Sequence, residues 1–289
     1  MIKLRNTVLY ALAATVLVAA GCTKHGLPSD PALVRFTSSA TDFEVKSTDA
    51  TLSNGDEVGI FAGNPIAAGN VRAVVSGKSI LPDKELYWED GQNVATRFSA
   101  YCPYTPGVPG EVFPFSVSED QRLYADYARS DLRTASVTIS PGNVVNFIFG
   151  HRLTKLIIDI DAGIRSVSEV SVRDVYRSAT VDMTDGGLSA ISNRGAVQAG
   201  LATASPDSRV YVAIFIPASL QIGLVVTADG DDYHYTLDSP QEFLPGCAYY
   251  ASLQLDEGHI IHGEGSPVNF SVTVTDWENG EPLEFIREP

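Results

Sequence analysis

The stretch VNFIFGHRLTKLIIDI, running from Val145 to Ile160, decides the fold class. Val145, Phe147 and Phe149 alternate with other residues on one face, and Leu153 to Ile160 follows as a second, denser apolar run rich in β-branched side chains. A two-residue period over so short a span specifies strands rather than a helix, whose apolar stripe would recur every three to four residues. Working outward, the same pattern repeats toward the C-terminus. It runs over Arg209 to Ile216, ended by Pro217, then over Gln221 to Ala228, turned by Asp229-Gly230 into Tyr233 to Leu237. Cys247 to Leu255 and Val268 to Thr275 complete that half. Toward the N-terminus, Val34, Phe36, Phe43 and Val45 alternate with polar residues, and Glu57 to Phe61 follows the turn signal Asn54-Gly55-Asp56. Leu86 and Trp88 run into Asp90-Gly91, and Thr96 to Tyr101 alternates into Pro103.

The one helical patch falls between Ser118 and Arg129, where the spacing predicts a capping box of Ser118 with Gln121. Short strands with a turn signal at each end define an all-β chain of β-sandwiches. A Pro/Gly break at Pro141-Gly142 separates two strand-rich halves, so the expected organisation is two domains in tandem, 32–142 and 143–289, with the short helix in the first. The length of 289 residues agrees with two domains at roughly 150 residues each. Residues 22–31 are small, polar or chain-breaking, as in a tether.

With 20 Lys plus Arg against 35 Asp plus Glu, the chain carries a formal charge of −15. Such a surface repels phosphate backbones and anionic lipid headgroups, which excludes nucleic acid as an expected partner. Residues 1–21 combine a basic start, Lys3 and Arg5, with an apolar run from Thr7 to Ala20 that is shorter than the ~20 residues needed to span a bilayer. That is a secretory signal. Its end, Ala20-Gly21-Cys22, resembles a bacterial lipobox, with Ala19 where leucine is usual. Processing there would make Cys22 an acylated N-terminus and would anchor the product to a membrane without spanning it. The remaining cysteines, Cys102 and Cys247, lie far apart in the chain and are expected as two separate buried thiols.

The sequence contains no phosphate-cradling glycine loop, nucleophile elbow, paired CxxC or HExxH motif. No catalytic residue and no cofactor are therefore expected. His259 and His262, with Asp256, Glu257 and Glu264 nearby, form the nearest approach to a metal set, but no third ligand is fixed by regular structure, and a polar loop accounts for them. Asp229, Asp231 and Asp232 are explained by a hairpin tip. His151 is expected as a hydrogen-bonded structural histidine, and Trp88 and Trp277 as core or edge-covering aromatics.

Taken in order, several segments resemble the fimbrillin (Mfa-like) lipoproteins, the type V pilus subunits of Bacteroidia. They are the lipobox, NGDEVGIF (Asn54–Phe61), LYWEDG (Leu86–Gly91), FSAYCPY (Phe98–Tyr104), DQRLYADYARSDL (Asp120–Leu132), VNFIFGHRLTKLIIDI, FIP (Phe215–Pro217), FLPGCAYYASLQLD (Phe243–Asp256) and VTVTDWENG (Val272–Gly280). Cys102 departs from the usual aromatic residue and Cys247 from a usually long polar one. The resemblance implies two transthyretin-like β-sandwich domains, export as an outer-membrane lipoprotein to a cell-surface fimbrium, and polymerisation with other fimbrial subunits in support of adhesion. It also implies donor-strand exchange after a trypsin-like protease removes the first strand. Lys46, or Arg35 as the alternative, would be the point of cleavage. The terminal strand would be the donor, with Val268, Phe270, Val272 and Val274 on its apolar face. The alternative is a fimbrial tip or surface lipoprotein that binds a glycan, host protein or bacterial surface ligand through its loops.

Overall fold

A computed structural model describes residues 32–38, 52–88, 93–163, 165–205, 208–255, 277–279, 283 and 285–287. The first strands are β1 (Phe36–Ser38), β2 (Glu57–Ala62), β3 (Ala68–Ser76), β4 (Ser79–Pro82), β5 (Thr96–Cys102) and β6 (Val112–Ser116). After helix α1 (Tyr124–Ser130) come β7 (Arg133–Ile139), β8 (Val145–Phe147), β9 (Gly150–His151), β10 (Thr154–Asp161), β11 (Val167–Asp182), β12 (Gly187–Gln198) and β13 (Gly200–Ala204). The rest are β14 (Arg209–Phe215), β15 (Ser219–Leu220), β16 (Gly223–Ala228), β17 (Asp231–Leu237), β18 (Gln241–Glu242), β19 (Cys247–Gln254), β20 (Glu278–Asn279) and β21 (Phe285–Arg287).

Eight strands form the first sheet in the order β8-β1-β4-β3-β2-β5-β7-β9. The sheet curls so that β7 and β8, joined by a turn through positive-φ Gly142, come close again. Inside the curl Phe98 is fully buried and meets Phe36 and Trp88 edge-on, each at 5.6 Å between ring centroids, while Phe36 stacks on Phe147 at 6.0 Å. Edge-to-face and offset packing of this kind adds to the area that the rings bury.

The second half is a sandwich of two sheets, β13-β14-β10-β19-β20 and β12-β11-β16-β17-β21, with β6 added beside the C-terminal half of β11. Leu156, Ile158 and Ile160 of β10 share one core with Val170 and Val172 of β11 and with Leu224 and Val226 of β16. The near-continuous apolar run of β10 follows from its place in the sheet, between antiparallel β14 and parallel β19.

The two cores meet at β2 and β5, which are buried on both faces. Ile60, Phe98 and Ala100 point into the first core, and Phe61 and Tyr101 point into the second, where Phe113 of β6 covers Tyr101 at 4.9 Å. Gly59 stands opposite Tyr101, and a Cβ there would lie 2.1 Å from the tyrosine ring, so only glycine lets the ring lie across the strand. The Tyr101 hydroxyl sits 2.9 Å from Asn70 Oδ1 and 3.0 Å from the Thr105 carbonyl, and burial pushes its ionisation up to about 12.

Three features differ from the sequence reading. The break at Pro141-Gly142 is a turn within the first sheet: β8 and β9 lie beyond it yet pair with β1 and β7, because Val145 and Phe147 fill the same core as Phe36. β6, from the N-terminal side, pairs instead with β11. The helix covers only Tyr124–Ser130 and has no Ser118/Gln121 capping box. Gln121 is fully buried and spends its amide on β14, donating to the Ile214 carbonyl (2.7 Å) and accepting from the Ile214 N–H (2.8 Å). Around Leu86 and Trp88 there is a single bridge, Leu33 with Tyr87, rather than a strand.

The Gln121 amide substitutes for a strand partner of β14. Gln121→Leu leaves the buried N–H and carbonyl of Ile214 without that partner, and each such group costs roughly 1–3 kcal/mol. The expected loss in urea unfolding is about 2–5 kcal/mol with the slope unchanged; a loss below ~0.5 kcal/mol would show that the segment is held by other contacts.

Candidate assembly site

β1 lies inside the first sheet, paired on both sides. Its three residues lie between β4, antiparallel, and β8, parallel, with Phe36 opposite both Ile80 and Val145. Main-chain bonds extend the pairing to both sides. Val34 N–H donates to Leu86 O (2.8 Å), Trp88 N–H to Ala32 O (2.8 Å), Ser38 N–H to Lys78 O (2.9 Å) and Val145 N–H to Arg35 O (2.8 Å). Val34 and Phe36 point inward and are buried, while Leu33 and Arg35 are exposed, which is the alternation of a strand with one face in a core. The slot that receives them is lined by Ile80, Leu86, Trp88, Phe98, Val145 and Phe147. Backbone donors and acceptors run along both of its walls.

Of the residues singled out in the sequence, Arg35 lies in this slot, with its side chain exposed and its carbonyl paired to β8. Cys22, Lys46, Val268, Phe270, Val272 and Val274 lie outside the described residues, as do His259 and His262. Trp88 and Trp277 are both core residues, 4% and 1% exposed. Cys102 and Cys247 are both buried, and burial pushes the Cys102 thiol up to about 12. The aspartates around Gly230 serve the hairpin: Asp229 Oδ1 accepts from Ser166 N–H (3.0 Å) and Asp232 Oδ1 from the Thr227 hydroxyl (2.7 Å). Among the described residues no group of His, Cys, Asp and Glu is placed to hold a metal ion, and no helix is long and apolar enough to cross a membrane.

A polar cluster that the sequence reading did not assemble lies where β9 pairs with β7. His151 Nδ1 is 2.7 Å from Asp131 Oδ1, and Arg133 Nε is 3.4 Å from Asp131 Oδ2. The His151 ring stacks on Trp277, 3.8 Å between centroids and 21° from parallel, with Lys155 Nζ 5.8 Å from the same Trp277 ring. His151 is thus the hydrogen-bonded structural histidine expected from its place after an apolar strand. Its partners come from elements far apart in sequence, which no local spacing reveals.

A curled sheet and a sandwich sharing buried strands, with a short first strand, define an all-β fold. The sequence profile of the fimbrillin-like family matches residues 45–277, and the chain belongs to that family, which comprises fimbrial and adhesion proteins rather than enzymes. No curated protein matches its sequence. Among solved structures, a candidate cell adhesion protein from Bacteroides uniformis shares 20% identity and covers 80% of this chain and 94% of its own, with a TM-score of 0.62. A second, from Bacteroides ovatus, shares 15% identity over 90% of this chain and 96% of its own, at 0.63. A third, from Bacteroides fragilis, has 11% identity over 89% and 98%, at 0.52. The three share the fold. Family membership supports a fimbrial or adhesin role at the cell surface.

Phe36 joins the slot's two walls, so Phe36→Ala should cost about 3–5 kcal/mol, the range for a fully buried Phe cut to Ala. Thermal unfolding measured against wild type would show it; a shift of under a degree would mean that the slot does not depend on its first strand.

Proposed function

We propose that the protein is a fimbrial subunit, structural or accessory, that is exported as an outer-membrane lipoprotein acylated at Cys22 and assembles with other subunits by donor-strand exchange in support of adhesion. The observation that carries this reading is the setting of β1. This short strand contributes Phe36, with Val34 just before it, to the core, and a basic residue, Lys46, follows it in the sequence. Without it the sheet retains a groove with apolar side chains on its floor and backbone hydrogen-bonding groups on both walls. Such a groove accepts an alternating strand from another chain.

Cleavage after Lys46 fits the slot better than cleavage after Arg35. The Arg35 carbonyl is bonded to β8, so the Arg35–Phe36 peptide lies inside a paired strand where a protease cleft cannot enclose it. A cut there would also leave Phe36 in the core. Cutting after Lys46 frees the whole of β1. The segment Val268–Thr275 offers four apolar side chains on alternate positions. Their burial at ~1.5–3 kcal/mol each, with main-chain bonds at ~1 kcal/mol net apiece, is sufficient to outweigh the entropy of association.

Treating the purified protein with a trypsin-like protease should convert it to ladders that survive mild SDS, built of chains beginning at Ser47. Phe270→Asp with Val272→Asp should abolish the ladders while the cut variant still accepts a wild-type donor. Homopolymers from the double variant at wild-type yield would reject this strand as the donor, and ladders of chains that still begin at Cys22 would reject the cut. A palmitate analogue should label wild type in cells and leave Cys22→Ser unlabelled; equal labelling of both would refute the anchor.

A further inference from the structure

The outer face of the first sheet carries an apolar patch that neither core uses. Phe36, Ile80 and Val145 stand side by side on β1, β4 and β8 and point inward. One residue along each strand the row turns outward, which sets Arg35 between Leu81 and Val144, with Val74 of β3 opposite Leu81. Two residues before Arg35, on the same outer face, Leu33 bridges Tyr87. Leu33, Leu81, Tyr87 and Val144 are 43%, 56%, 42% and 47% exposed. Large apolar side chains gathered on one face at such exposure mark a contact surface.

Three cations accompany the patch. Arg35 lies within it, Lys78 in the turn from β3 to β4, and Lys84 between β4 and Tyr87; all three are exposed, and none makes an ion pair with a described residue. The acidic groups at its margin are occupied, Asp83 accepting from Arg72 (2.7 Å) and Glu85 from the Tyr87 hydroxyl. Apolar side chains, a tyrosine and cations on long stems are the mix that settles at the boundary between headgroups and acyl chains, where the stems lie along apolar surface and the charges reach water. A two-fold contact with a second copy would instead bring the three cations against their own counterparts, which is unfavourable.

We infer that this outer face of β8, β1 and β4 rests against a surface of zwitterionic phospholipid while the subunit is anchored. The inference rests on the reading of Cys22 as a lipid anchor given above. Leu33 follows Cys22 by eleven residues, which span at most ~40 Å, so the chain joins the fold at this face within that distance of its acyl chains. Four side chains are too few to hold a free protein on a bilayer. The tether makes docking an intramolecular step at an effective concentration on the order of mM, and a weak contact is then sufficient. A formal charge of −15 opposes anionic lipid, so the contact is local and apolar rather than drawn by the field of the whole protein.

Fluorescence quenching by lipid tests this in the acylated full chain, reconstituted in phosphatidylcholine vesicles that carry a nitroxide lipid. A fluorophore on Ser79→Cys reports from the face, where Ser79 pairs with Thr37, and one on Ser192→Cys, exposed on β12, is the reference. Cys102 and Cys247 are buried and Cys22 is acylated in that reading, so the introduced thiol takes the label. Quenching should be at least about threefold stronger at 79 than at 192, and Leu81→Glu with Val144→Glu, both at exposed positions, should bring the two to about the same value. Equal quenching at both positions in vesicle-bound protein overturns the inference and leaves the anchor in place. Quenching at 79 that survives the double replacement overturns the assignment to this patch. A label at 79 that is shielded from a water-soluble quencher yet untouched by the nitroxide lipid means that a second copy covers the face, and overturns the inference too. Protein that has no acyl chain by mass and does not float with the vesicles overturns the anchor and the inference together.

Discussion

Phe36 stands between Phe98 and Phe147, and the behaviour of the whole subunit depends on that contact. It belongs to a strand of three residues, which is too short to hold a place in a sheet by its own ladder alone. What keeps it there is the burial of Phe36 and Val34, worth roughly 1.5–3 kcal/mol each, together with the bonds to Leu86, Lys78 and β8. That sum is comparable with the 5–15 kcal/mol that holds a typical domain folded. A subunit that loses β1 must be refilled or stay close to the limit of its stability. In the proposed assembly, opening the slot and filling it from a neighbour would be two stages of one energetic process.

The rest of the architecture is stiff. β2 and β5 are shared by both cores, so the curled sheet and the sandwich are joined through packed strands. The close approach of Tyr101 over Gly59 and the pairing of β6 with β11 tie the halves at two further points. A pull transmitted across the protein would pass through packed side chains and parallel-paired β10 and β19. Interiors packed to this density resist deformation.

Much of this was legible in the sequence where one face of a strand is buried. The apolar runs at Glu57–Phe61 and Leu153–Ile160 and the alternation at Thr96–Tyr101 correspond to β2, β10 and β5 within a residue or two, because such patterns record burial on one face or both. The long hairpin β11–β12 was not legible. β12 is mostly exposed, its residues are small and polar, and positive φ at Ala190 and Asn193 together with register shifts erases the alternation. Pro141-Gly142 marks a turn faithfully, but nothing local says whether the chain that follows joins the old core or begins a new one; Phe147 decides this through Phe36, over a hundred residues away. Gln121 misled for a related reason. Its amide satisfies the backbone of Ile214, a partner that no helix-capping rule anticipates. The His151–Trp277 contact was out of reach for the same reason, since it joins residues far apart in the chain.

The most direct test of the central claim is a map of the assembled fibre by electron cryomicroscopy, at a resolution that distinguishes side chains. In the slot between β4 and β8 the account predicts Val268–Val274 of a neighbouring subunit, with an apolar side chain of that strand in the place of Phe36 against Phe98 and Phe147. Density there for the subunit's own Phe36–Ser38, in fibres built from cut or uncut chains, would contradict it.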